Sequence, residues 1–121
     1  MELIKIEERM KEHKDYNGKN VIDRQVRYEL GRYNVTYDSS DYTDDGFIVE
    51  DISIRAKDFE DEYLPEIYWE NHYRNGMFVH EGFTIQTTSY GALNALEMSK
   101  MMDAYNHAMV AVKVLADFFE K

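Results

Sequence analysis

Glu70, His72 and Glu81 flank the pair Asn75-Gly76. Asn-Gly between two alternating segments is a strong signal for a hairpin with a two-residue loop, and that loop sets a register. Arg74 then faces Met77, His72 faces Val79, Glu70 faces Glu81 and Tyr68 faces Phe83. On the other face Trp69 covers Gly82 and Asn71 meets His80. Two carboxylates opposed across a ladder repel, so one titrates late and can serve as an acid, or both can hold a metal with His72 as a third ligand. Glu70, His72 and Glu81 are therefore the metal candidates of the chain. The residues favour the plainer expectation, a solvated sheet face whose carboxyls splay into water and are offset by Arg74.

Asp41 to Ile48 resembles the first half of an EF-hand calcium loop: acid at position one, acid at five, Gly46 at six and an apolar residue at eight. The likeness would imply hard oxygen ligands around a sharp glycine turn. It stops at Thr43 in position three and at Ile52 in position twelve, where the bidentate Glu belongs, and the flanks read as strands. An Asp-rich turn is the expectation here. His13, His72, His80 and His107 show no metal-ligand spacing, and there is no G-x-S-x-G, Walker loop or G-x-G-x-x-G. The chain contains no cysteine, which excludes disulfides, thiolate catalysis, Cys-ligated zinc and iron–sulfur clusters. No cofactor is expected, and an enzyme is the lesser reading.

Charge and tyrosine carry the stronger signal. The net charge is −10 over 121 residues, beyond the magnitude of roughly 2–8 usual for a small domain. Residues 38–81 hold 13 acids against Arg55, Lys57 and Arg74, while the flanking segments are nearly balanced. Free nucleic acid is excluded as a direct partner, because binding it relies on Lys and Arg displacing counterions. An acidic surface instead steers basic partners. Seven of the ten tyrosines (Tyr28, Tyr33, Tyr37, Tyr42, Tyr63, Tyr68 and Tyr73) fall in or beside the acidic block, and Tyr gives large contact area with few torsions to freeze. The expected partner-binding residues are Asp41, Tyr42, Asp44, Asp45, Asp58, Asp61, Glu62, Tyr63 and Glu66 on loops 38–46 and 58–66, with Tyr68 just beyond the second loop.

These residues must be positioned by a core, and the length suits a single domain over 1–121. Leu96, Met98, Met101, Met102, Tyr105, Met109, Val112, Leu115, Ala116 and Phe119 recur at three- and four-residue spacing. That pattern predicts a helix over 94–120 with this stripe on a sheet, opened by a reciprocal Asn94–Glu97 cap. Leu3, Ile6 and Met10 predict a short N-terminal helix over 2–15, ended by Asn17-Gly18. Val26, Tyr28 and Leu30 alternate in one phase and Tyr33, Val35 and Tyr37 in the other, which reads as a β-bulge at Gly31. Further runs around 48–56, 67–73 and 79–85 complete an antiparallel sheet of about four strands. The fold class is α+β, with the long C-terminal helix packed on one face.

In size, acidity, Tyr content and lack of Cys the chain resembles the small accessory proteins of bacteriophages and mobile elements. That likeness implies an acidic mimic occupying a nucleic-acid site on another protein. No apolar run approaches the ~20 residues of a membrane span. The acidic N-terminus and the absence of Cys place the expectation in the cytoplasm. The leading function is a small acidic, non-enzymatic interaction protein binding a basic surface of another protein. The alternatives are a small-molecule or metal site in the 66–87 hairpin, and a structural subunit of a homo-oligomer.

Overall fold

A computed structural model describes the backbone of residues 1–74 and 77–120 and the side chains of residues 1–70 and 82–120. Six strands precede one helix: β1 (Leu3–Lys14), β2 (Asn20–Leu30), β3 (Tyr33–Tyr42), β4 (Phe47–Ala56), β5 (Ile67–Arg74), β6 (Met77–Ile85) and α1 (Ala95–Phe119). Strands β1 to β4 form an antiparallel sheet in chain order, and β5 pairs with β6 in a separate two-stranded sheet. The architecture is α+β, a four-stranded antiparallel sheet with a long C-terminal helix.

The change of phase at Gly31 is a chain reversal. Leu30 pairs with Tyr33, Tyr28 with Val35 and Val26 with Tyr37. Residues that pair across a two-residue loop share a face, so a hairpin shifts the apolar phase by one residue just as a bulge would. β4 then sets Ile54 opposite Val35 and Ile52 opposite Tyr37. Val26, Tyr28, Leu30, Tyr33, Val35, Ile52 and Ile54 are all buried in one cluster with Leu64, Ile67 and the helix.

The N-terminal segment is a strand, not a helix. Lys5, Glu7, Glu8 and Arg9 have the charge spacing of a helix surface, but two of their four ion pairs cross the ladder to β2, the other two joining Lys5 to Glu8 and Arg9 to Glu7 within the strand. Arg27 reaches Glu7 at 3.0 Å and Arg24 reaches Glu8 at 2.7 Å. Asn17-Gly18 belongs to the hairpin turn, where the Gly18 N–H donates to the Asp15 carbonyl at 2.9 Å and Gly18 takes φ +78°.

In the β5–β6 hairpin Arg74 pairs with Met77, His72 with Val79 and Asn71 with His80, and the register then shifts. Glu70 lies opposite Gly82, Trp69 opposite Phe83 and Tyr68 opposite Thr84, so the expected Glu70–Glu81, Trp69–Gly82 and Tyr68–Phe83 pairs do not form. Glu81 is the extra residue of a β-bulge followed by Gly82 at φ +81°. The bulge has a clear cause. An unbroken register would turn Gly82 and Thr84 toward the core beside Trp69 and Ile67, whereas the slip puts Phe83 and Ile85 there, and both pack on the core.

Helix α1 opens on the reciprocal cap: Asn94 accepts from the Glu97 N–H at 2.8 Å and Glu97 from the Asn94 N–H at 3.2 Å. Its buried stripe is Ala104, Ala108, Ala111 and Leu115. Leu115, Val112 and Phe119 of the expected stripe do reach the core, but Leu96, Met98, Met102 and Met109 turn outward, with Met102 56% exposed. The sheet explains the choice. Tyr28, Tyr33 and Tyr37 already fill the interlayer space, so small side chains are what the helix can bring against them. At its end Phe119 stacks on Tyr37 with centroids 5.6 Å apart and meets Tyr28 edge-on at 5.9 Å. Ala108→Leu therefore overpacks the layer and should cost about 1–3 kcal/mol, whereas Met102→Ala should leave the denaturation midpoint nearly unchanged; chemical denaturation of the two variants measures both.

Candidate functional site

β4 is the last strand of its sheet. Beside it runs a groove of about 800 Å³, walled on one side by residues 51–56 and on the other by 64–69, with Phe59, Asp61 and Glu62 at one end. Consecutive residues line each wall, so the groove follows the strand's edge and not one of its faces. Among the described residues no main-chain hydrogen bond joins 51–56 to 64–69. Ile52, Ile54, Leu64 and Ile67 are buried beneath the groove, and Phe59 stands almost fully exposed at its mouth.

The second wall is held from below. The Tyr33 hydroxyl donates to the Pro65 carbonyl at 2.6 Å in a buried contact, and burial keeps that phenol protonated by raising its pKa well above the ordinary value. The Gln86 N–H donates to the Glu66 carbonyl at 3.0 Å and ties the start of β5 to the end of β6.

Arg32 holds the connecting loop, residues 57–66. Its carbonyl accepts from the Lys57 N–H at 2.9 Å. Its guanidinium makes a bidentate pair with Asp61, Nε to Oδ2 at 2.8 Å and Nη2 to Oδ1, and lies 3.4 Å from Asp103 of the helix. Its N–H donates to His107 Nε2 at 2.9 Å. Within the loop the Asp58 carboxylate accepts from the Glu60 N–H at 2.9 Å. A smaller pocket of about 260 Å³ lies behind it, between Glu60, Glu62, Tyr63 and Lys100.

The expected binding residues thus divide. Asp58, Asp61, Glu62, Tyr63, Glu66 and Tyr68 gather around the loop and groove. Asp61 is committed to Arg32, and Tyr63 donates to Glu97 at 3.3 Å and meets Tyr90 edge-on. Glu62 and Glu66 line the groove, where Glu66 accepts the Tyr68 hydroxyl. Asp41, Tyr42, Asp44 and Asp45 sit at the opposite end of β4. There Tyr42 stacks on Phe47 at 4.8 Å, and Asp44 accepts from the Asn20 N–H at 2.7 Å, which holds its pKa below the usual carboxylate range. Lys19 pairs with Asp45. These two acids lock adjacent hairpin tips together. Asp51, Arg55 and Phe59 belong to the groove and were absent from the expected set; the signal for Phe59 was an aromatic set among Asp58, Glu60, Asp61 and Glu62.

Of the metal candidates, Glu70 faces Gly82, while the His72 and Glu81 side chains and the Asn75-Gly76 turn lie outside the described residues. No group of three metal-ligating side chains occurs among the described residues, and among them no helix is long and apolar enough to cross a membrane. Comparison with known proteins finds no matching family model, no similar curated protein and no similar solved structure.

His107 gives the site a pH dependence. To accept from the Arg32 N–H its Nε2 must be unprotonated, and burial, followed by the nearby Arg32 charge, holds its pKa below the ordinary value. The unfolded chain takes up this proton near pH 6.5, before the folded chain does. The stabilisation is therefore complete above about pH 6.5 and is lost as pH falls toward the folded-state value. His107→Gln keeps an acceptor and should flatten that part of the stability profile, read as denaturation midpoints between about pH 7.5 and pH 5.

Proposed function

We propose that this chain is a non-enzymatic interaction protein that binds a basic surface of another protein along the groove beside β4. The observation that carries the reading is the groove itself, where an apolar floor lies under a rim bearing Asp51, Glu62 and Glu66. Among the described residues none of these three has an ion-pair partner. Arg55 is the sole cation among the described residues lining the groove, and Asp61 is occupied by Arg32. An acidic rim over an apolar floor suits a ligand whose own surface is apolar at the centre and basic around it. Tyr68 and Phe59 add exposed aromatic area at the same place. Nucleic-acid-binding proteins carry basic surfaces of this kind, so the mimic expected from the sequence falls within the same reading.

The rim predicts its own test. Wild-type chain immobilised at about 50 mM salt should retain basic proteins from a cell extract and release most of them by about 300 mM, because exposed ion pairs are screened over that range. The triple variant Asp51→Asn, Glu62→Gln, Glu66→Gln leaves the Arg32–Asp61 pair intact, should keep the wild-type denaturation midpoint, and should retain much less. Equal retention by both proteins, or retention indifferent to salt, would contradict the proposal.

A further inference from the structure

We infer that the outward face of α1 is a contact surface for a second copy of this chain, the two helices crossing antiparallel about a two-fold axis. This face is separate from the groove, and either reading can fail without the other.

The pattern of the helix is the first reason. Met98, Met102, Asn106, Met109 and Lys113 follow one another at steps of four, four, three and four, so they share one stripe. It lies opposite the buried stripe of Ala104, Ala108, Ala111 and Leu115. Met98, Met102 and Met109 are 42%, 56% and 51% exposed, and half-exposed Val110 widens the apolar area. A helix apolar on one side buries that side. α1 is apolar on two sides, and the sheet takes only one of them. Methionine suits the other to a partner, because an unbranched thioether adapts to the surface it meets.

Charge selects a second copy as the occupant. Residues 38–81 carry 13 acids against three bases, whereas α1 carries Lys100 and Lys113 against Glu97, Asp103 and Asp117. Two chains of net charge −10 repel over most of their surface, and the nearly balanced face of α1 is where they can approach. Lys113 has no ion-pair partner among the described residues. Asp103 stands beside Arg32 with its own side chain 83% exposed.

The same two charges set the direction. In an antiparallel pair with its midpoint near residue 108, Lys113 of each copy lies level with Asp103 of the other, twice by symmetry. A parallel pair would set Lys113 against Lys113 and Asp103 against Asp103. In the antiparallel pair Met109 and Val110 lie next to the axis, and Met102 of one copy lies under the aliphatic stem of Lys113 from the other. Asn106 falls within this seam, where a single polar residue fixes register. One helix face is smaller than the ~800 Å² per partner of a standard interface. The dimer therefore forms at about 100 µM and above, and it is dissociated at the low micromolar concentrations of folding measurements.

Sedimentation velocity of the full chain from about 5 to 500 µM tests this, with circular dichroism confirming that each variant keeps its fold. Wild type should pass from monomer to dimer over that range. Met102→Glu should weaken association at least about tenfold, since it sets a charge in the apolar seam. Lys113→Glu and Asp103→Lys should each weaken it by about threefold or more, and the double variant should regain most of the loss, because the exchanged charges again oppose each other. Asp103→Lys is the sharper of the two, since it lowers the net negative charge and would strengthen association if repulsion alone governed it. Raising salt from about 50 to 300 mM should tighten the dimer by screening that repulsion, the reverse of the loss expected for ligands of the acidic rim. A wild type still monomeric at 500 µM overturns the inference and leaves the face to some other occupant. So does association that Met102→Glu leaves intact, that the double variant fails to regain, or that salt weakens.

Discussion

The turn Gly31-Arg32 constrains the rest of this molecule. Gly31 takes φ +55°, and a Cβ there would strike the His107 ring, so the helix can approach the turn only over a glycine. The adjacent Arg32 uses three kinds of group. Its N–H binds the helix through His107, its carbonyl binds the start of the connecting loop at Lys57, and its guanidinium binds that loop again at Asp61. One residue thereby fixes where α1 lies on the sheet and where the chain leaves β4. The Arg32–Asp61 pair is partly buried and bidentate, a geometry stronger than an ordinary surface pair.

Size and position set the remainder. Aromatics on the sheet and alanines on the helix divide the interlayer space between them, and the Tyr33 hydroxyl extends past this layer to hold Pro65. With the loop tied at Arg32 and the segment before β5 tied at Tyr33, residues 64–69 run beside β4 without joining its ladder. The groove is the gap that this double attachment leaves. Its floor is the margin of the core, and its rim is the stretch of chain richest in acid.

Much of this was legible from the sequence, to a definite depth. Alternation located the strands from Val26 onward, and three-four spacing with the Asn94–Glu97 cap located the helix, because both signals are local. The side of the helix that is buried was not legible. Periodicity shows which residues share a stripe, and α1 carries two: one of Met98, Met102 and Met109, the other of Ala104, Ala108 and Ala111. Hydrophobicity ranks the first above the second, but the tyrosines of the sheet leave room only for the second. The N-terminal strand was obscured because its charges, spaced as on a helix, find partners on β2 as well as within the strand. The hairpin register was hidden by the bulge at Glu81, although Phe83 and Ile85 share a parity that requires one. Glu62, Glu66 and Tyr68 were found through the acidic block. Asp51 belongs to the same block but was not among the expected binding residues, since it stands beside Glu62 and Glu66 only when residues distant in sequence form two walls.

The groove depends on the turn, and amide hydrogen exchange of wild type against Arg32→Gln measures that dependence directly. The guanidinium fork is lost while the backbone bonds to Lys57 and His107 can remain. Faster exchange confined to residues 57–67, with the ladders of β1, β2 and β3 unchanged, is the predicted result. Unaltered exchange across 57–67 would contradict it, because something other than the Arg32–Asp61 pair would then be holding the groove's second wall in place.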